Sequence, residues 1–143
     1  MICADTSFMI SLYGNDEHSA AARNLRAASD GTLVVHQIVD FEYANAVRAL
    51  FFRHQIEQEQ CDQWLEYYEE EKGRGFLISA MLDKNVVFDL AAEISVRHTM
   101  STGNRAYDIL HVAAAKILGA KVFWSFDGKQ RALAAAEGLA VGP

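Results

Sequence analysis

The sequence predicts an α/β domain with a mostly parallel central sheet, and three observations lead to that class. Several short apolar runs lack polar alternation, which is typical of strands that both faces of a parallel sheet bury. Segments with helical apolar spacing separate these runs, as βαβ units require. The length of 143 residues and a single proline, at the last position, fit one compact domain spanning residues 1–143.

The predicted strands and helices alternate along the chain from its first residues. The strand-like runs are MICAD, TLVVH, FLISAML, KVFWS and LAV. The segments with helical spacing are TSFMISLY, EHSAAARNLRAAS and the ranges 38–54, 58–72, 85–99, 104–120 and 127–138. Asp30-Gly31 and Gly119 are predicted helix ends, since glycine relieves the left-handed backbone that often follows a helix. Residues 101–103 are expected to break the helix at 85–99.

Composition and charge narrow the classes of function. The net charge of −6 provides no overall attraction to nucleic acid or to an anionic membrane, although a local basic rim or bound cations can still recruit RNA. Cys3 and Cys61 form no metal-binding spacing, which favours a reduced, cytoplasmic protein. No basic segment precedes the first apolar run, and no uncharged apolar stretch approaches about 18 residues. We therefore expect a soluble intracellular protein with no membrane partner.

Four acidic residues lie near the predicted strand ends. Asp5 closes the first strand, and Asp127 directly follows KVFWSF. Glu42 lies in the helix after TLVVH, and Asp108 lies just inside the helix that precedes KVFWS. Ligands of parallel α/β sheets bind beyond the carboxyl ends of the strands. The four carboxylates could therefore converge on one edge of the sheet.

Each of these acids has an alternative explanation, and for three of them it is a helix cap or a surface position. Asp5 and Asp127 stand where helix N-caps are expected, and aspartate is a favoured cap residue. Asp108 shares one side of its helix with other polar residues, so a surface position remains open. Those residues are Arg105, His111 and Lys116.

Glu42 is the acid that a surface or cap position explains least well. Its neighbours on a helical wheel are mainly apolar, and an isolated buried carboxylate carries a large desolvation cost. We therefore expect Glu42 to pair with a cation or to belong to a site. Asn45 lies about one turn further along the helix, at the edge of the same apolar side, where it could hydrogen-bond to groups at that site.

Converging carboxylates repel one another, and a hard divalent cation is the usual remedy. Mg²⁺ and Mn²⁺ prefer oxygen ligands and keep several waters, so one or two direct carboxylates are enough. Such a site suits phosphodiester hydrolysis, in which the metal activates water and stabilises the scissile phosphate. The hydroxyls of Ser7 and Ser125 could orient ligands or waters, whereas Thr6 is better explained as a cap residue.

Other chemistries have little support in this sequence. Phosphate-binding glycine motifs, the GxSxG elbow, HExxH and CxxC are all absent, and the five histidines have no zinc spacing. His111 lies one turn from Asp108 and could touch a site there, but a structural place is favoured for it.

Four segments, in this order and at this spacing, resemble the PIN-domain ribonucleases, in particular the VapC-type toxins of bacterial toxin–antitoxin pairs. They are ADTSFMISLY, FEYANAVRAL, RAYDILHVAAAKILGA and FWSFDGKQRALAAAEGL, and the resemblance covers nearly the whole chain. It implies a three-layer α/β/α sandwich with an acidic pocket that binds Mg²⁺ or Mn²⁺. The acids that fall on the family's acidic positions are Asp5, Glu42, Asp108 and Asp127.

Within that resemblance, Asp5 and Asp108 are the expected direct metal ligands. The polar positions around the pocket match Ser7, Asn45 and Ser125. Arg105 matches a frequent arginine whose role the resemblance leaves unassigned. Trp124 and Ser125 depart slightly from the family pattern, which commonly has a smaller strand end there.

The resemblance further implies an endoribonuclease that cleaves a structured RNA, such as a tRNA or an rRNA loop. It also implies a homodimer and an antitoxin encoded beside it, whose basic tail would compete at the acidic pocket. A PIN-fold RNA- or protein-binding module without significant catalysis is the main alternative, and the complete set of acids argues against it. A receiver-like phosphoacceptor domain fits less well, because Asp5 has no acidic neighbour and Ser125, rather than lysine, follows the late strand.

Overall fold

The computed structural model describes residues 1–143, which form five strands and seven helices. The strands are β1 (Ile2–Ala4), β2 (Leu33–His36), β3 (Leu77–Ala80), β4 (Val122–Trp124) and β5 (Ala140–Gly142). The helices are α1 (Thr6–Tyr13), α2 (Ser19–Ala28), α3 (Gln37–Phe52), α4 (Gln58–Gly73), α5 (Lys84–Thr102), α6 (Ala106–Ile117) and α7 (Gly128–Ala136). Every predicted strand and helix is present, with shifts of a few residues at the ends.

The five strands form one sheet in the order β3-β2-β1-β4-β5, and every pairing is parallel. From β1 the chain first builds outward through β2 and β3, and then crosses to the other side of β1 to add β4 and β5. The strand order therefore reverses at β1, and a crevice opens at the carboxyl ends of strands at such a reversal. Asp5 is the first residue beyond β1, so the topology itself positions it at that crevice.

Alternate residues of the strands enter two separate cores on the two faces of the sheet. Ile2 and Ala4 join a cluster that includes Tyr43 of α3 and Trp64 of α4. Cys3, between them, joins a second cluster that α5, α6 and α7 complete. This two-sided burial explains the lack of polar alternation in the strand sequences and confirms the predicted three-layer α/β/α sandwich.

The end of α5 differs from the sequence prediction. Helix α5 continues through Ser101 and Thr102, whose hydroxyls both donate hydrogen bonds at 2.9 Å to the carbonyl of His98, so both side chains are satisfied within the helix. The helix ends at Gly103, whose φ of 64° is the left-handed backbone that glycine adopts without strain.

Two further features bear on the expectations from composition. Cys3 and Cys61 are both buried and form no disulfide. None of the helices combines the length and apolar character that crossing a membrane requires.

Candidate active site at the carboxyl edge of the sheet

Asp5 begins the site immediately after β1, with a side chain that is almost fully buried. Its Oδ1 accepts the backbone N–H of Phe8 at 2.9 Å and so caps α1, while Ser125 Oγ donates to Oδ2 at 2.7 Å. Ser7 Oγ lies 2.8 and 2.9 Å from the two carboxylate oxygens. Burial raises the pKa of Asp5, and these hydrogen bonds oppose that rise.

Asp127 uses its two carboxylate oxygens differently. Oδ1 accepts the backbone N–H groups of Lys129 and Gln130 at 2.8 and 3.2 Å, which caps α7. Oδ2 instead faces the guanidinium of Arg105 at 3.4 Å. Ser125 connects Asp127 to Asp5, because its Oγ also accepts the backbone N–H of Asp127 at 2.9 Å. Asp5 and Asp127 therefore both cap helices and face the candidate site, so the two explanations left open by the sequence do not exclude each other.

Asp108 lies in the first turn of α6 and is only 5% exposed, so a surface position for it is wrong. Its carboxylate accepts the backbone N–H of Arg105 at 3.0 Å and two guanidinium N–H groups of the same residue at 3.1 Å. The helical wheel was misleading because α6 packs against three other helices, so residues 108–115 are all buried.

Glu42 reaches the site from α3. Its neighbours on the helix are mainly apolar, so the sequence predicts a partner for its carboxylate, and the structure shows two. Thr6 Oγ1 donates to Glu42 Oε2, and His111 Nε2 lies 2.5 Å from the same oxygen. Burial alone would raise the pKa of Glu42, but the hydrogen bonds from His111 and Thr6 outweigh it and lower that pKa. Two assignments need correction. Asp5 caps α1 in place of Thr6, and His111 contacts the site as well as packing in the interior.

Arg105 is the cation that links two of the acids. It bridges Asp108 and Asp127, and both carboxylates raise the pKa of its guanidinium. Its side chain is nevertheless 76% exposed, so the bridge lies at the mouth of the site. The sequence had identified the position without assigning it a role. The structure shows a side chain that neutralises part of the acidic charge.

An open depression of about 650 Å³ lies in front of this bridge. Its lining residues are Gly103, Arg105, Asp108, Asp127, Gly128 and Lys129. Lys129 was missed by sequence reasoning, since one lysine in an amphipathic helix carries no signal by itself. It adds a second cation to the rim of an otherwise acidic site.

The donors around this edge are carboxylate and hydroxyl oxygens, which are the ligands that Mg²⁺ and Mn²⁺ prefer. In the arrangement described, no three acidic, histidine or cysteine side chains are gathered closely enough to hold an ion. Arg105 occupies the space between Asp108 and Asp127 instead. Asn45 is exposed on α3 and makes no hydrogen bond to the acids, so its role in the pocket stays a prediction.

The fold and the site together define the class: a three-layer α/β protein with carboxylates at the carboxyl edge of a parallel sheet. The chain belongs to the PIN domain family, whose family model matches residues 2–136. No curated protein sequence matches it significantly.

Several solved structures share the whole fold. VapC20 of Mycobacterium tuberculosis, described as a sarcin–ricin loop cleaving toxin, is 19% identical with a TM-score of 0.74, and all of each chain is covered. FitAcB from Neisseria gonorrhoeae is 16% identical with a TM-score of 0.67, covering 100% of this chain and 97% of the other. A FitAB structure bound to an IR36 DNA fragment is 18% identical with a TM-score of 0.69, covering 99% and 94%. At these identities the likeness demonstrates the fold alone.

Proposed function

We propose that this PIN-domain protein is a metal-dependent endoribonuclease and the toxin of a toxin–antitoxin pair. The observation that carries the proposal is an excess of acids at the carboxyl edge of the sheet. Asp5, Glu42, Asp108 and Asp127 approach from four parts of the chain, whereas Arg105 and His111 are the cations or potential cations that contact them. An excess of negative charge beside bound polyanionic RNA needs a metal cation to compensate for it.

We assign metal binding and the positioning of water to different side chains according to their positions. Asp5 and Asp108 would hold Mg²⁺ or Mn²⁺, and Glu42 and Asp127 would position its water ligands. The bound ion would supply Lewis acidity and an activated water. Ser7 and Ser125 fix the Asp5 carboxylate through hydrogen bonds of 2.7–2.9 Å, which keeps its oxygens directed toward the site.

Two cations at the rim would attract the substrate backbone. Arg105 and Lys129 both line the depression, and the Arg105 side chain is largely exposed. When a phosphodiester approaches, the Arg105 guanidinium can exchange its carboxylate partners for phosphate oxygens, which it also binds in a bidentate manner. That exchange would free Asp108 and Asp127 at the moment of substrate binding. The proposed substrate is a structured RNA, such as a tRNA or an rRNA loop.

The antitoxin part of the proposal rests on the family resemblance, and the geometry of the site supports it. The FitAB structure and the VapC20 toxin are both structural neighbours of this chain. We infer that a basic tail of a cognate antitoxin silences the site by occupying the acids. The chain's own Arg105 demonstrates that a guanidinium fits between Asp108 and Asp127 at 3.1 and 3.4 Å. RNA cleavage measured with and without a basic peptide would test this, and unchanged cleavage would contradict it.

A homodimer is the remaining partner that we propose. Phe41, Phe88 and Tyr107 are exposed around an apolar groove of about 200 Å³ between the starts of α3, α5 and α6. Exposed aromatic side chains grouped around a groove are typical of protein interfaces. Sedimentation of Phe88→Glu protein would test the surface. A mass equal to that of a wild-type dimer would rule this groove out as the interface.

The experiment for the proposed activity is an RNA cleavage assay with purified protein. End-labelled structured RNA should be cut internally in the presence of Mg²⁺ or Mn²⁺, and EDTA should stop the reaction. Asp108→Asn protein, prepared in parallel, controls for contaminating nucleases because the amide is isosteric but carries no charge. Equal cleavage by the two proteins would disprove the mechanism.

The binding-module alternative is favoured by one observation. Arg105 neutralises Asp108 and Asp127 in the structure, which a permanent RNA- or protein-binding surface could maintain without any metal. Titration with Mn²⁺ distinguishes the two functions. A nuclease should bind the ion and cut RNA, whereas a binding module would retain RNA without responding to the metal.

A further inference from the structure

An aromatic groove of about 280 Å³ adjoins the acids. It shares two residues with the acidic site, since Thr6 bonds to Glu42 and Ser7 bonds to Asp5. Phe126, the residue before Asp127, also lines the groove, and its backbone N–H donates to Ser7 Oγ at 3.0 Å. A strand of RNA with its scissile phosphate at the acids would therefore extend naturally into this groove.

Three aromatic rings form a stack at this place. Phe8 is fully buried and lies 5.7 Å from Phe126 with nearly parallel rings. His18 stacks on Phe126 at 4.4 Å with an interplanar angle of 5°. The side chain of His18 is still 46% exposed, so the outermost ring of the stack remains accessible from the solvent. A flat ring supported from behind and accessible in front is the kind of platform on which unpaired nucleobases stack.

Hydrogen bonds at the start of α2 hold His18 in position. The Asp16 carboxylate accepts the backbone N–H of His18 at 2.8 Å and the hydroxyls of Ser11 and Ser19 at 2.8 and 3.1 Å. Ser19 Oγ in turn accepts the backbone N–H of Asp16 at 2.8 Å. The platform is therefore preorganised, and RNA binding would require little ordering of this loop.

The charges around the groove suit a base rather than a phosphate at its aromatic end. Asp16 lines this end, and Glu17 lies 3.6 Å from His18 Nε2, so a phosphate there would meet two carboxylates. Arg53 lines another part of the groove; it directly follows the last residue of α3 and is exposed. A strand can thus place its base on the ring and its phosphate at the guanidinium.

We propose that this groove binds an unpaired nucleobase next to the scissile phosphate, with His18 as the stacking residue and Arg53 as the phosphate contact. The proposal rests on the proposed ribonuclease function and adds a substrate-positioning subsite to it. It predicts that the substrate is single-stranded on at least one side of the cleaved bond, as in an RNA loop.

The test measures RNA binding separately from catalysis. A fluorescein-labelled RNA stem-loop is titrated with Asp108→Asn protein, and anisotropy reports the Kd without cleavage. Adding His18→Ala should raise the Kd roughly fivefold or more, as expected for loss of one stacked base, whereas His18→Phe should retain nearly the original Kd. Arg53→Gln should also weaken binding, while Arg48→Gln, on the exposed surface of α3 outside the groove, should not.

A cleavage assay in the otherwise native protein separates positioning from structural damage. His18→Ala should raise KM more than it lowers kcat, and an abasic nucleotide beside the cleaved bond should remove most of the difference between variant and native protein. If the native protein cleaves RNA but His18→Ala leaves both Kd and KM unaltered, the subsite is wrong and the proposed ribonuclease function stands. The subsite would also be wrong if His18→Ala weakened binding of a protein partner while its RNA binding was unaltered. If the native protein neither bound nor cut RNA, the proposed function itself would fail.

Discussion

Two charge clusters sit on α6, one at each end, and they are balanced in opposite ways. At the first turn, Asp108 belongs to a group of acids that outnumber their basic partners. At the last turn, Lys116 belongs to a group in which Arg97, His98 and Lys116 all contact a single acid, Glu137. The Glu137 side chain is only 4% exposed, and Arg97 binds it through both carboxylate oxygens at 2.9 Å.

The contrast separates charge that stabilises the fold from charge that is available for chemistry. Burial alone would raise the pKa of Glu137, but hydrogen bonds from Lys116, His98 and Arg97 lower it to about 2. That carboxylate is fully used in joining α5, α6 and α7. The acids at the other end keep unpaired capacity, since Asp5 is buried with a raised pKa and Asp127 commits one oxygen to its helix cap. We therefore expect substitutions at the two ends to affect different properties.

The largest expected effect is on activity, at the acidic end. Asp108→Asn should lower RNA cleavage more than about 100-fold, because changing even an indirect partner of a metal site commonly costs 10–100-fold. The amide keeps an oxygen for the Arg105 backbone N–H, so urea denaturation should indicate a folded protein of similar stability. Cleavage within tenfold of the native rate would contradict the assignment.

The next effect is on stability, at the basic end. Glu137→Gln should lower the free energy of unfolding by about 1–3 kcal/mol, because three basic groups lose a buried partner. Cleavage per folded molecule should remain unchanged. Glu93→Gln is the matched control, since Glu93 is exposed and lies 3.8 Å from Arg97. Its loss should cost less than about 1 kcal/mol. An equal cost at both positions would argue against a special role for Glu137.

A third prediction concerns pH and His36, the buried last residue of β2. Burial, with a smaller contribution from the nearby His111, lowers the pKa of His36 from 6.5 to about 3. The unfolded chain therefore takes up a proton at this position first, so stability should fall as pH drops below about 6.5. Between pH 6.5 and 5 this residue should account for a loss of about 2 kcal/mol.

The measurement is urea denaturation across that pH range. His36→Leu should flatten the acid dependence, because it removes the titrating ring and both of its unbonded buried nitrogens. The same slope in the variant and the native protein would show that other groups determine the acid response.

The smallest expected effect is at the bridge between the acids. Arg105→Gln should tighten Mn²⁺ binding a few-fold, measured by electron paramagnetic resonance in the absence of RNA, because it removes a cation that competes for Asp108 and Asp127. The effect should be modest since the side chain is mostly exposed. Arg48→Gln should leave Mn²⁺ affinity unchanged. Weaker binding in Arg105→Gln would mean that Arg105 organises the acids rather than competing for them.

The sequence was sufficient for the architecture because strand burial and helix spacing are local patterns. Asp5 and Asp127 were also found locally, from their positions directly after strands. The contacts of Glu42 with Thr6 and His111 could not be found from local sequence, because they join residues 36 and 69 positions apart. A helical wheel compares the sides of one helix, so it failed for Asp108, whose helix is buried on nearly every side.

Asp5 and Asp127 each cap a helix and face the candidate site, which limits the substitutions that can remove a site charge without weakening the fold. Each carboxylate caps a helix with one oxygen, so replacement by alanine would remove a cap worth about 1 kcal/mol as well as a site oxygen. Asparagine would preserve the cap while removing the charge. Relatives that lack the proposed ribonuclease activity but keep the fold should therefore carry asparagine at these two positions. Glu42 caps no helix, but its loss would leave the buried His111 Nε2 without its hydrogen-bond partner, so a change there would also cost stability.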